Sequence, residues 1–198
     1  PLWSPLLEMY KTKKCVVIVT QIATGCIFGL VALALHLPHF FALSIALLAV
    51  IAFSGATHDV AADGVYMASL SKDDQARYIG WQGAFYNIAK IAATGGLVYL
   101  AGMLIDYYTG DITGLSATAA AAAKHNGTVV AWTIIMAVTG VIMVMLGLYN
   151  AKFVPSEKTK DADEKPDLKQ TMIDLGNVFV DLFRKKHILY YIFFIILY

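Results

Sequence analysis

The chain has 198 residues, of which 59% are hydrophobic and only 15% charged, with a formal net charge of +1. Soluble domains run nearer to about 25% charged, and a mean hydropathy of +0.65 excludes one here. Near-neutral charge, with basic residues placed as a membrane topology places them, also excludes a nucleic-acid surface.

Residues 1–14 open on Pro1-Leu-Trp-Ser-Pro5 and carry Lys11, Lys13 and Lys14. There is no initiator Met and no leader of basic, apolar and small-residue design, so the chain is expected to be the middle of a longer protein. Four apolar segments follow, at 15–35, 39–70, 75–105 and 128–152. Each meets the roughly 20 residues that a helix needs to cross hydrocarbon. Period-2 alternation, the mark of a barrel strand, is absent, and only helices or closed barrels satisfy their backbone in lipid. The expected fold is therefore an all-α membrane protein with four complete transmembrane helices.

The basic residues orient it. Lys72 and Arg77 lie between the second and third spans, and the bases of Lys152 to Lys186 follow the fourth. The other side has His36-Leu-Pro-His39 and the loop from Asp106 to Gly127, where Lys124 is the only Lys or Arg. The excess of Lys and Arg puts the N-terminal stretch and the 153–186 linker in the cytoplasm. Within the 106–127 loop, Ala-rich 118–124 followed by Asn126-Gly127 predicts a short external helix ending near His125.

The linker has two parts. Residues 155–167 are rich in Lys, Asp, Glu and Pro and are expected to be solvated. Leu168, Met172, Leu175, Phe179 and Leu182 then recur at helical spacing, predicting an amphipathic helix at about 168–185 on the inner surface. Arg184-Lys-Lys-His187 suits anionic headgroups. Residues 187–198 form an apolar run too short to span, read as the start of a fifth crossing.

Asp59 and Asp63 carry the strongest functional signal, one turn apart in the second span. An ionised group in hydrocarbon costs at least ~2.5 kcal/mol, so an intramembrane acid points to proton or substrate handling. An antiparallel pairing from the turn at Lys72-Asp73 brings Asp59 level with Tyr86 and Asp63 with Gln82, and puts Lys90 about 6 Å deeper. Gln82, Tyr86 and Lys90 share a face, with Asn87 beside it. That stripe, with His58 opposite, is the expected substrate-binding set, and Asp59 and Asp63 the proton-coupling set. The plainer reading has both acids hydrated at the inner interface and His58 hydrogen-bonded within the bundle. Gly25 and Gly29, and more loosely Gly95, Gly96 and Gly102, suggest close helix packing.

Other chemistry finds no footing. Cys15 and Cys26 lie on one segment and cannot pair with each other. His36 and His39 lack a third metal ligand, and no phosphate loop or nucleophile elbow occurs, so neither metal, cofactor nor enzyme activity is expected. Ala62-Asp63-Gly64 resembles the Asp-Gly element of integral phospholipid head-group transferases. That motif wants an earlier Asp where Val60 stands and an Ala-Arg where Met67-Ala68-Ser69 stands.

Taken in order, Leu2-Trp-Ser-Pro-Leu-Leu-Glu8 with Lys13-Lys14, Thr20-Gln21, Ser54-Gly-Ala-Thr-His-Asp-Val-Ala-Ala-Asp63 and Phe85-Tyr-Asn-Ile-Ala-Lys90 resemble the AmpG-type muropeptide permeases and related acetyl-CoA transporters of the major facilitator superfamily. The resemblance covers most of residues 1–100 and returns at Ile192–Tyr198. It implies a twelve-helix bundle in two halves. Residues 1–152 would hold helices three to six of the N-terminal half, 153–186 the linker, and 187–198 the start of the C-terminal half. The implied partners are protons, a small polar solute, the lipid bilayer and the remaining helices of the same protein, in a bacterial inner membrane. The chain departs from the family's pattern with His58 where relatives have Gln, Lys90 where they have Arg, and Glu8 where they have Asp. A facilitator of another solute (sugar, peptide or acyl-CoA-like) is the nearest alternative, with a membrane phosphotransferase or a non-transporting sensor further off.

Overall fold

The computed structural model describes residues 13–155 and, beyond them, 173, 176–177, 180–181, 184 and 188–197. The chain divides into two units, residues 12–157 and residues 1–11 with 158–198. In the first, α1 is Lys13–Ala34, α2 Phe40–Ser69, α3 Lys72–Ile91, α4 Leu97–Thr109 and α5 Ala117–Phe153. A π-helical turn, Ala92–Gly96, joins α3 to α4 without a break. In the second unit, α6 spans Ile188–Leu197. The helix expected at about 168–185 lies largely outside the described residues.

No strand occurs among the described residues, and four helical rods are long and apolar enough to cross a membrane: Lys13–Ala34, Phe40–Ser69, Lys72–Thr109 and Ala117–Phe153. The molecule is thus an all-α, multi-pass membrane protein. Its burial runs opposite to a soluble core. The fully buried residues of α1, α2, α4 and α5 are small or β-branched, such as Ala32, Ala61, Ala101, Ala131 and Ile135. Large apolar residues such as Leu33, Phe41 and Ile91 face outward. Between lipid-borne helices apolar bulk gains nothing by turning inward, and small residues let backbones approach.

The helix ends follow local chemistry. Pro38 disfavours helix at the residue before it, and α1 closes in tight turns in which the Leu37 amide donates to the Ala34 carbonyl at 3.0 Å. Ser71 caps α3, its Oγ accepting from the Asp74 amide at 3.2 Å. Asp73 and Asp74 in the first turn complement the positive end of the helix dipole. Tyr66 clamps this corner by donating to the Gln75 carbonyl at 2.9 Å. The Gln75 amide donates to the carbonyls of Met67 and Leu70. Gly110, with φ 67°, ends α4 in the left-handed region, its amide donating to Asp106.

α1 is the central helix, packed on α2 along one side and on α5 along the other, while α4 packs on α5. The α1–α5 crossing is built on Gly25, Gly140 and Gly147. A Cβ at Gly147 would come within 2.8 Å of Ile22 Cγ1. Gly29 has open space where its own Cβ would go, as do Gly95, Gly96 and Gly102. The packing role expected of the last three is not seen.

The expected short external helix is also corrected. Residues 118–124 are the opening turns of α5, which runs unbroken for 37 residues from its Ser116 cap, about 55 Å at 1.5 Å per residue. Asn126-Gly127 does not end it because Gly127 is buried mid-helix against α4. A Cβ there would lie 2.9 Å from the Thr109 amide nitrogen and 3.1 Å from the Ile105 carbonyl oxygen. Glycine serves close approach at this position, not a left-handed cap.

Candidate functional site

The polar groups of α2 fall on two faces. Taking about 100° per residue, Ser54, His58 and Ala61 turn one way while Asp59 and Asp63 lie about 100° and about 140° round from His58. The first face meets α1. His58 Nδ1 lies 3.2 Å from Thr20 Oγ1, and Ser54 Oγ lies 2.8 Å from Thr24 Oγ1 and donates to the Thr20 carbonyl at 3.2 Å. His58 therefore belongs to the α1–α2 seam, not to the face of the acids.

The second face looks toward α3. Gln82 Nε2 donates to Asp63 Oδ1 at 3.5 Å, the outer limit of a hydrogen bond. The expected register of Asp63 against Gln82 is thus present. Beyond this bond the backbones of α2 and α3 hardly approach each other. Asp59 is exposed and has no partner among the described residues.

The stripe Gln82, Tyr86 and Lys90 is exposed along its length. Lys90 makes no ion pair among the described residues, so the expected Lys90–acid pair is not formed. Asn87 turns aside, its amide donating to the Gly83 carbonyl at 2.9 Å. Of the expected site residues the structure joins Asp63 with Gln82. Tyr86, Asn87 and Lys90 stand on the uncovered flank of α3, and His58 on the face of α2 that meets α1.

Two features were not anticipated. Lys13 lies across buried Gly64, its Cδ 2.6 Å from where a Cβ would be. The residue after Asp63 is thus a slot for a lysine chain, a contact between segments distant in sequence. The second is the π turn at Ala92–Gly96, which begins two residues after Lys90, and where Thr94 Oγ1 donates to the Lys90 carbonyl at 2.7 Å. Such turns frequently occur at functional sites, and the paired Gly95-Gly96 was the available signal. Across the bundle, Asn150 Nδ2 donates to Gln21 Oε1 at 2.7 Å and joins α5 to α1. No group of three His, Cys, Asp or Glu residues is placed to hold a metal among the described residues.

Long apolar rods seamed by hydroxyls, amides and an imidazole are the packing of a multi-pass membrane bundle. Residues 1–198 match the family model described as Major Facilitator Superfamily, and the chain belongs to that superfamily. Its members are secondary transporters rather than enzymes. No curated protein and no solved structure gives a significant match.

Proposed function

We propose that this chain serves proton-coupled uptake of a muropeptide-like or related polar solute across a bacterial inner membrane. In this reading residues 1–152 belong to the N-terminal half of the transporter, with 1–14, 71–76 and 153–186 cytoplasmic. Asp59 and Asp63 take the coupling proton. Gln82, Tyr86 and Lys90 receive the solute, with Asn87 and His58 at the margins.

One observation carries the reading: Asp63 meets Gln82 between two helices of membrane-spanning length while Asp59, on the same face, has no partner among the described residues. Carboxylates so placed are costly unless they titrate or bind. Lys90 lies two turns from Gln82 and makes no ion pair among the described residues. An ammonium held apart from the acids is available to an anionic group of the solute. Protonation of an acid then favours one orientation of the bundle over the other, and the solute shifts the same equilibrium.

Uptake of a radiolabelled disaccharide-peptide into right-side-out vesicles with an imposed inward proton gradient tests it. Accumulation abolished by a protonophore is the expected result. Accumulation indifferent to the protonophore would contradict the coupling, and none of the solute entering under any gradient would contradict the substrate class.

A further inference from the structure

α1 and α5 carry no carboxylate, and most of their cations gather at one end of the pair. Lys124 stands in the opening turns of α5, whereas Lys13 and Lys14 begin α1 and Lys152 closes α5. The 2.7 Å contact of Asn150 with Gln21 sets the register of the two antiparallel helices. Lys152 lies two residues beyond Asn150, about 3 Å along the axis, and Lys14 seven residues before Gln21, about 10 Å toward the same end. Seven residues make close to two full turns, so Lys14 leaves α1 on the side of Gln21, toward α5. Lys13 is already engaged, its chain lying across Gly64 of α2. Lys14 and Lys152 are left without an acid among the described residues.

The end of α5 has the composition of a lipid interface. Tyr149 and Phe153, one turn apart, are each more than half exposed and lie tilted against each other with ring centroids 4.5 Å apart. The Lys152 ammonium sits 5.5 Å from the Phe153 centroid, within reach of cation–π attraction. Aromatic rings beside a basic residue where an apolar run ends mark the headgroup level, the rings against acyl chains and the charge raised to the phosphates. Two unanswered ammoniums at that level, on helices with no acid of their own, are complementary to a phosphate anion. A zwitterionic headgroup presents the same phosphate together with a cation that the lysines repel.

We propose that the Lys152 end of the α1–α5 pair seats an anionic phospholipid, its phosphate between Lys152 and Lys14 and an acyl chain along Tyr149 and Phe153. The proposal stands apart from the proton-coupled reading.

The test is photo-capture of lipid by the intact transporter. A benzophenone amino acid replaces Tyr149, leaving Lys152 and Phe153 as they are, and the protein is reconstituted in vesicles with equal phosphatidylglycerol and phosphatidylcholine in both leaflets. Mass spectrometry reads the ratio of the two lipids captured, whichever side this end faces. Each basic residue near the surface favours an anionic lipid roughly fivefold, so phosphatidylglycerol is expected to exceed phosphatidylcholine by at least about that factor. Lys152→Gln is expected to lower the ratio about fivefold, Lys14→Gln to lower it further in the double variant, and Lys152→Arg to keep it. The same analogue in place of Val141, mid-span on α5 and 59% exposed, is expected to capture both lipids equally. Equal capture at 149, the outcome if acids of the 155–167 linker take the lysines, would overturn the proposal. So would a preference undiminished in Lys152→Gln, or one as large at 141 as at 149, which would mean diffuse surface charge and not a seat.

Discussion

Gly25 on α1 and Gly140 on α5 cross so closely that a Cβ on either would lie 2.7 Å from the other's carbonyl oxygen. Neither atom is the mobile end of a side chain. Gly25→Val and Gly140→Val must push the helices apart, and overpacking of this kind costs about 1–3 kcal/mol. Thermal unfolding of the detergent-purified protein is expected to fall for both. Gly29→Ala, which meets open space, is expected to unfold at the wild-type temperature.

The continuous α5 gives a second prediction. Ser116 accepts from the Ala119 amide at 3.3 Å, and loss of such a cap costs about 1 kcal/mol. Pro in place of Asn126 would remove an interior helix hydrogen bond and costs about 3 kcal/mol. The expected order of destabilisation is thus Asn126→Pro above Ser116→Ala. An isolated short helix ending at His125 would give the reverse order.

The loop before α5 responds to acid. Asp111 accepts from the Thr113 hydroxyl and, at 2.8 Å, from the Thr113 amide, which hold its carboxyl below the ordinary carboxylate value. A depressed folded value means the turn is favoured above the unfolded pKa and loses that preference as pH falls through the folded one. Labelling of Leu115→Cys, in a background lacking Cys15 and Cys26 and taken relative to a free thiol at the same pH, is expected to be constant near neutrality and to rise only in strong acid. The same variant tests topology. Reaction from the outside alone is expected, and reaction only from the cytoplasmic side would reverse the assignment.

Much of this architecture was legible in the residues. Apolar length alone pointed to four helices long enough to cross a membrane, and the Gly25–Gly29 spacing pointed to close helix packing without naming the partner helix, because burial in lipid leaves a simple signature. Asp63 against Gln82 followed from counting back along an antiparallel pair. The same counting put Lys90 beside the acids, which requires α2 and α3 to stay in contact beyond the turn. They do not, and helix divergence has no local sequence signal. The continuation of α5 past Gly127 was hidden for a related reason: a glycine written for close approach to Thr109 has the same letter as one written for a cap. The partner of His58 is the Thr20 hydroxyl, contributed by a helix 38 residues away in sequence, and no local pattern announces it.

The π turn yields a further expectation. Gly95 and Gly96 have room for a Cβ, and replacing Gly by Ala in a compatible conformation stabilises by about 0.4–1 kcal/mol, largely through the unfolded chain. Gly95→Ala with Gly96→Ala is expected to raise the unfolding temperature. If the turn flexes between the Lys90 segment and α4 during transport, the same pair slows uptake at saturating solute. Wild-type uptake rates in the more stable variant would exclude that flexing.

The acids bear the account's central claim, and accumulation by Asp59→Asn and Asp63→Asn in energised vesicles, set against solute exchange in the same vesicles without a gradient, tests it most directly. An amide mimics the protonated acid. At least one of the two variants is expected to lose accumulation driven by the proton gradient while retaining exchange. Gradient-driven accumulation at the wild-type rate in both single variants would contradict proton coupling at Asp59 and Asp63.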